Sequence, residues 1–406
     1  METLVAATLY ESRKRSFTMN LLDTNLSAIE EQFDVIIAGG GPAGSAAAIA
    51  AARAGCSVLV VDRGIHPRPK VCGCCLAPAG IEALTQLGAS SVLNEAQQLS
   101  TVRLECGDRI IQMRREGGVA IGRDELDESL LRVAAESGCV ILMGSAASFD
   151  VDGSVVVRQD KIVRRIRSRV RIAADGLQGT SLDGMSKFEW RVSKSSRMGF
   201  GATVDGAALD ICREQILMSV HTGGYIGAVR LANGRIDIAA AAHPSIIRGA
   251  GGVAPLAAQW LGSHLRIGAG LGAAEWRGTP FLTRRRMQLA YKDVLVAGDA
   301  SGYVEPFTGE GMSWALATGL AAGNHASAMI LSNASSNQWP RIANRIVHSS
   351  RMRCWITARL LRHPRLLRSA MHTAQFFPSV ADRVASAFGS NLDATIYSRI
   401  FTKPAP

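Results

Sequence analysis

The chain reads as an α/β protein whose parallel-sheet domain is assembled from separated segments. An antiparallel sheet is inserted between those segments, and helices form the C-terminal end. Three stretches predict this. Phe33–Ala38 is an apolar strand running into Gly39-Gly40-Gly41-Pro42-Ala43-Gly44, then an Ala-rich helix to Arg53 and a second strand, Ser57–Val61, ending on Asp62. From Arg197 to about Ala242 short alternating segments are split by Gly, Asn and Asp, the pattern of an antiparallel sheet. Asp293–Asp299 then returns to the first style, and an Ala-rich helix, about Met312 to Ile330, follows.

The opening unit predicts a dinucleotide site. Gly39 permits the tight turn, Gly41 lets backbone approach a pyrophosphate, and Gly44 allows close helix–strand packing. Phosphates sit at the helix N-terminus, where free N–H groups and the helix dipole favour an anion. Asp62 stands near the ~20-residue spacing at which a carboxylate accepts ribose hydroxyls. Pro42 and Ala43 inside the loop, and Arg63 after Asp62, complete the expected cofactor contacts of this region.

In chain order, Pro78 opens a helix over about Ala79–Leu87, and Thr101–Cys106 and Arg109–Met113 form a hairpin around Gly107-Asp108. Arg123-Asp124-Glu125-Leu126 begins a helix with Leu126, Leu130, Leu131, Val133 and Ala134 at helical spacing. Strands follow at Val140–Leu142, Val155–Val157 and Val163–Ile172, the last ending at Asp175-Gly176. The tail beyond Pro340 reads as helices broken at Pro364 and Pro378. The expected division is a flexible extension over 1–32 and a nucleotide-binding domain from 33–90, 118–182 and 275–335. A substrate sheet comes from 91–117 and 183–274, and a basic helical region covers 336–406.

Two later segments indicate which dinucleotide is bound. Asp175-Gly176 and Gly298-Asp299 each put an acid and a glycine at a strand end, suited to ribose or ribityl hydroxyls. Gly309, Glu310, Gly311 and Met312 at a helix start would aim N–H groups at the electron-rich edge of a flavin. Alone, each Asp-Gly is an ordinary turn.

With these motifs the chain resembles the FAD-dependent oxidoreductases of the aromatic-hydroxylase type, within them the geranylgeranyl-reductase-like branch. The resemblance covers about Phe33 to Asn324. It rests on Gly39, Gly41, Gly44 and Asp62, on Arg123, on Asp175-Gly176, and on the run from Gly298 through Pro306 to Met312. It implies a discontinuous Rossmann-like FAD domain. It also implies that Lys70-Val71-Cys72-Gly73 lies near flavin and substrate. The strand Gly223–Arg230 lacks the Trp-Phe-Pro segment typical of prenyl reducers, the Trp-x-Trp-x-Ile-Pro segment of halogenases is absent, and Gly302-Tyr303 replaces the hydroxylases' His.

Composition narrows the rest. The 406 residues are 47% hydrophobic with no apolar run of membrane-spanning length, and the first residues lack the order of a signal peptide. The expected location is cytoplasmic, with membrane-peripheral contact as the variant. Eight cysteines in such a chain do not make a disulfide scaffold. Cys72, Cys74 and Cys75 form a cluster in which Cys72 is a candidate proton donor or attachment point, against a loop with incidental cysteines. No second ligand pair supports zinc, so no metal is expected. The net charge of +11 concentrates where no acid occurs between Glu310 and Asp382. No recognition motif accompanies it, so nucleic acid is not the expected partner. A basic helical tail against anionic lipid is the functional reading, and a solvated arginine face is the plain alternative.

The expected activity is a monooxygenase, with reduced FAD and O2 hydroxylating a lipophilic, phenolic or polyketide-like molecule. Reduction of a carbon–carbon double bond and non-catalytic electron transfer are the alternatives. The sequence holds no second convincing strand–Gly-rich loop–helix unit, so NADH or NADPH would visit only transiently. Expected catalytic positions are Cys72, Gly309 and Tyr225. Tyr225, Met218 and Met198 are pocket-lining candidates, against simple sheet packing.

Overall fold

The computed structural model describes residues 24–376 except 116, 267–269 and 306–308. β1 (Gln32–Ala38), α1 (Pro42–Arg53) and β2 (Val58–Val61) are followed by α2 (Pro78–Gln86) and the hairpin β3–β4 (Thr101–Cys106, Arg109–Arg114). α3 (Arg123–Glu136) leads to β5 (Val140–Leu142) and the hairpin β6–β7 (Ser154–Gln159, Ile162–Ala173). Then come β8 (Met198–Val204), β9 (Gln215–His221), β10 (Gly224–Arg230), β11 (Ile236–Ala242), β12 (Arg277–Phe281) and β13 (Val294–Val296). α4 (Gly311–Leu331), α5 (Trp339–Leu360) and α6 (Pro364–Phe376) close the described chain.

Strands β13, β7, β1, β2 and β5 lie side by side in parallel. Their residues are apolar on both faces because helices cover both sides: every residue of β2 and β13 is buried. α1 and α4 pack tightly because their contact is built of Ala and Gly. A Cβ on Gly319 would lie 2.1 Å from the Ala43 carbonyl oxygen, and one on Gly323 2.3 Å from that of Ala47. The second sheet has the order β12-β8-β11-β10-β9-β3-β4, antiparallel except for β9 with β3. The predicted α/β class with an inserted antiparallel sheet and a helical tail is what the structure shows.

The N-terminal segment departs from expectation. Residues 24–31 are packed rather than loose: Leu26 and Ile29 are buried. The Leu26 N–H donates to Gln159 Oε1 at 2.8 Å, and Arg164 Nη1 donates to the Leu26 and Ile29 carbonyls at 2.8 and 2.6 Å. A flexible reading of 1–32 therefore fails over its last part, because these apolar residues cover the β6–β7 hairpin; residues 1–23 lie outside the described chain. The break expected at Pro364 is there, at the start of α6, whereas Pro378 lies outside the described residues. No described helix is long and apolar enough to cross a membrane.

Candidate functional site

The turn between β1 and α1 shows why its glycines are required. Gly39 has φ +103°, and a Cβ there would sit 2.5 Å from the Ala174 carbonyl oxygen. A Cβ on Gly44 would sit 1.7 Å from the Gly39 oxygen. At Gly41 the space is open, and the nearest atoms to a Cβ would be Lys70 Nζ at 3.6 Å and Arg123 Nη2 at 3.7 Å. Two cations therefore face an uncapped helix N-terminus, Gly41-Pro42 of α1, which is the electrostatics of a pyrophosphate site.

Those cations share one partner. Asp127 is fully buried on α3; Lys70 Nζ donates to its Oδ2 at 2.6 Å, and Arg123 Nε and Nη2 donate to Oδ1 and Oδ2 at 2.9 Å each. The sequence reading missed Asp127, although Arg123 and Asp127 stand four apart on one helix, the spacing of an intrahelical ion pair.

A cavity of about 280 Å³ runs from this turn and is lined by Asp62, Arg63, Arg68, Lys70, Arg123 and Asp175 among others. Asp62 Oδ2 accepts from Gly40 N and Oδ1 from Gly64 N, both at 2.7 Å. Burial would raise its pKa, but His66, Lys70 and the Gly64 N–H hold it well below the usual carboxylate range. A carboxylate has about four acceptor sites, so ribose hydroxyls remain compatible with these bonds. Arg63 donates to the Gln178 side chain at 2.9 Å. Asp175 accepts from Ser181 N at 2.9 Å through Oδ2, while its Oδ1 is buried without a protein partner. Gly298 has φ +60°, and a Cβ there would meet Ala43 Cβ at 2.6 Å. Asp299 lies between the two cavities, its pKa pushed up to about 6 by burial. The cationic cradle over Gly41 and the orphaned Asp175 oxygen fit an FAD stretched along this cleft.

The second cavity, about 660 Å³, shares Pro42, Arg123 and Asp299 with the first. The expected catalytic residues Cys72, Gly309 and Tyr225 all line it, as do Gly311, Met312 and Met218; Met198 is not among its walls. Gly309 has φ +74°, and a Cβ there would strike Cys75 Cβ at 2.7 Å. Glu310 is buried at the N-cap of α4, and Pro306 lies outside the described residues. Most of the wall is apolar, supplied by β3–β4, by β9–β11, and by α5 and α6 through Thr357, Leu360, Leu361, Leu367 and Met371. The roof of two tail helices was not foreseen.

The polar exception clusters at Cys72. The Cys74 thiol, then the Arg123 guanidinium, bring the Cys72 thiol down to about 6 against the effect of burial. Cys74 sits at φ +51°, a left-handed conformation unusual for a residue with a side chain, and its own thiol is pushed well up by Cys72 and burial. Burial, with Cys72 and Asp237 adding to it against Arg115, pushes Cys75 up to about 12. Asp237 on β11 lines the same cavity; Thr203 Oγ1 donates to its Oδ1 at 3.2 Å, while Oδ2 is buried without a hydrogen-bond partner. Burial, then Cys72, raises its pKa to about 8. Asp237 was missed, though a lone acid among Ile and Ala in a strand is a readable signal.

Residues 32–211 match the family described as an FAD binding domain. Menaquinone reductase of Mycolicibacterium smegmatis is 28% identical, covering 91% of this chain and 95% of that protein. Digeranylgeranylglycerophospholipid reductase of Thermoplasma volcanium is 25% identical over 76% of this chain and 81% of its own. The crystal structure of a geranylgeranyl bacteriochlorophyll reductase-like protein from Thermoplasma acidophilum superposes with a TM-score of 0.68 at 18% identity, covering 92% and 96% of the two chains. With the cleft, the match makes the protein an FAD-dependent oxidoreductase whose residues 32–211 are similar to this FAD binding domain; the superposition shows the shared fold.

Proposed function

We propose that the protein reduces a carbon–carbon double bond in the prenyl chain of a membrane lipid or lipid-soluble quinone. The observation that carries this is the apolar cavity that holds Cys72 and meets the cofactor cleft at Pro42, Arg123 and Asp299. A cavity of about 660 Å³ accommodates several isoprene units, with each buried methylene contributing about 0.8 kcal/mol. The names of the relatives, menaquinone reductase and digeranylgeranylglycerophospholipid reductase, support reduction over the oxygen transfer expected from sequence.

Lys70, Arg123, Asp62 and Asp175 would hold FAD, and the bound cofactor supplies the two electrons of the reduction as hydride. The apolar walls orient the chain and exclude water from the reacting carbon. Cys72 Sγ holds the proton for the second carbon. Its lowered pKa makes it a stronger acid than an ordinary cysteine, and the Arg123 guanidinium stabilises the thiolate left behind. Turnover should fall as pH rises through about 6, where the thiol loses its proton. NADH or NADPH is the proposed transient reductant, since the sequence holds one convincing phosphate loop.

The test is anaerobic. Dithionite-reduced holoenzyme given a prenylated naphthoquinone or a geranylgeranyl phospholipid should yield, by mass spectrometry, a product heavier by two hydrogens per saturated bond. A product formed only with O2 and carrying added oxygen would return the reading to hydroxylation. Reduced flavin that is indifferent to both lipids would overturn it in favour of electron transfer.

A further inference from the structure

We propose that the outward face of α5 and α6 docks on an anionic lipid bilayer, so that the cavity roof is also the membrane contact. The surface is divided by helical phase. Thr357, Leu360, Leu361, Leu367 and Met371 turn inward onto the cavity. Met352, Trp355, Ile356 and Leu366 turn outward and are 46–60% exposed. Four large apolar side chains in solvent on two adjoining helices form a patch that water does not favour.

Cations accompany the patch. Arg359 and Arg365 are exposed beside it, and the Arg359 guanidinium lies 4.9 Å from the centre of the Trp355 ring. The sequence from 311 to 381 contains no Asp or Glu, so nothing on these helices repels an anionic surface. A Trp with an adjacent Arg suits the level of lipid headgroups, where the ring is half-buried and the guanidinium meets phosphate. Nucleic acid would leave Trp355, Ile356 and Leu366 without apolar partners. A second copy would bring like charges together. An anionic bilayer matches both the charge and the apolar residues.

The helices are also anchored to the body. Arg351 Nη2 donates to the Gly302 carbonyl at 2.8 Å, Arg362 Nη1 to Ser195 Oγ at 2.7 Å, and Arg368 pairs with Asp108 at 2.5 Å. Docking through this face therefore holds the cavity against the bilayer. A prenyl lipid then passes between the two without crossing water. This last step rests on the prenyl-reductase reading; the docking does not.

The experiment is co-sedimentation of the full-length holoenzyme with phosphatidylcholine vesicles, with and without phosphatidylglycerol. The protein should bind the anionic vesicles and be released by salt. Trp355→Ser/Ile356→Ser/Leu366→Ser should lower binding by about tenfold, and Arg359→Glu/Arg365→Glu by a similar factor. Both variants should keep their flavin absorbance and their turnover of detergent-dispersed lipid. Equal binding to neutral vesicles, absence of binding, or unchanged binding by the apolar variant would overturn the proposal. So would displacement by DNA that the apolar variant does not alter. Vesicle binding without lipid reduction would leave the docking standing and remove only the catalytic reading.

Discussion

The cofactor cleft encloses about 280 Å³ and the apolar cavity about 660 Å³, and they meet at Pro42, Arg123 and Asp299. The cleft is made of turns at the ends of parallel strands, where backbone N–H groups, Asp62, Asp175, Lys70 and Arg123 are set by local geometry. The cavity is made of sheet faces and helix sides contributed by residues 102–113, 216–241 and 357–373. Polar chemistry is thus concentrated in the part that tolerates no change of shape. Substrate selection is left to walls that tolerate repacking. Substitutions in the cleft should therefore abolish flavin binding, and those in the cavity should change substrate preference while the flavin stays.

The largest effect is expected at Gly44. A Val there places a Cβ where the structure has 1.7 Å to the Gly39 carbonyl oxygen, so β1 and α1 must separate. The variant should purify without flavin, if it is soluble at all; normal flavin absorbance would break the contrast at its strongest point. Next is Arg123→Ala, which leaves Asp127 buried with Lys70 alone. Losing one partner of a buried ion pair costs about 3–5 kcal/mol, so denaturant unfolding should show a loss of that order. FAD titration should show weaker binding, and Arg123→Lys should restore part of each.

In the cavity, Leu360→Trp in the roof should leave flavin absorbance unchanged and raise KM for long prenyl chains more than for short ones. Overpacking costs about 1–3 kcal/mol, small beside the cleft variants. Equal effects on all chain lengths would mean that the roof does not touch the substrate.

The same contrast explains what was legible in the sequence. Gly41, Gly44 and Asp62 stand at fixed spacing within one βαβ unit, so their pattern is readable, whereas the contact of Gly39 with Ala174 and the approach of Arg123 to Gly41 come from the fold. Cys72 and Tyr225 stand out singly in the sequence, but their meeting in one cavity depends on a loop and a distant strand that only the fold brings together. Asp127 and Asp237 left local signals, an i,i+4 pair with Arg123 and an acid in an apolar strand, but what each acid meets in the site is set only by the fold. The Arg-rich tail was visible as charge. That its other side roofs the cavity was not, since amphipathic helices show which face is apolar but not what it covers. Leu26 and Ile29 were lost for the same reason: two apolar residues before the first strand do not announce the hairpin they seal.

Cys72 sharpens the comparison from the chemical side. Iodoacetamide alkylation of Cys72 should be half-maximal near pH 6, against the ordinary thiol value of 9.0, because Cys74 and Arg123 favour its thiolate. Cys74→Ala should move that midpoint upward with FAD still bound. An unchanged midpoint would mean that Arg123 alone sets it.

The smallest effect is expected from Asp237→Asn, read as stability against pH. An unfolded Asp gives up its proton near 3.8, whereas native Asp237 keeps it to about 8. Between those values the native state binds more protons than the unfolded one, so this residue's contribution to stability falls as pH rises. Cys72 acts in the opposite sense: its native value of about 6 lies below 9.0, so its contribution rises with pH between them. The charged groups facing Asp237 include Cys72, Cys74 and Asp124, so the two slopes oppose each other only where their windows overlap. Below about pH 6 Cys72 no longer opposes Asp237, and the slope from Asp299, whose pKa is raised to about 6, is common to wild type and variant. There, wild type should lose stability relative to Asp237→Asn as pH rises from 4 to 6, in parallel urea titrations. A difference that stays flat over that interval would mean Asp237 is solvated and ionised, and the cavity would then be wetter at the Cys72 end than its walls imply.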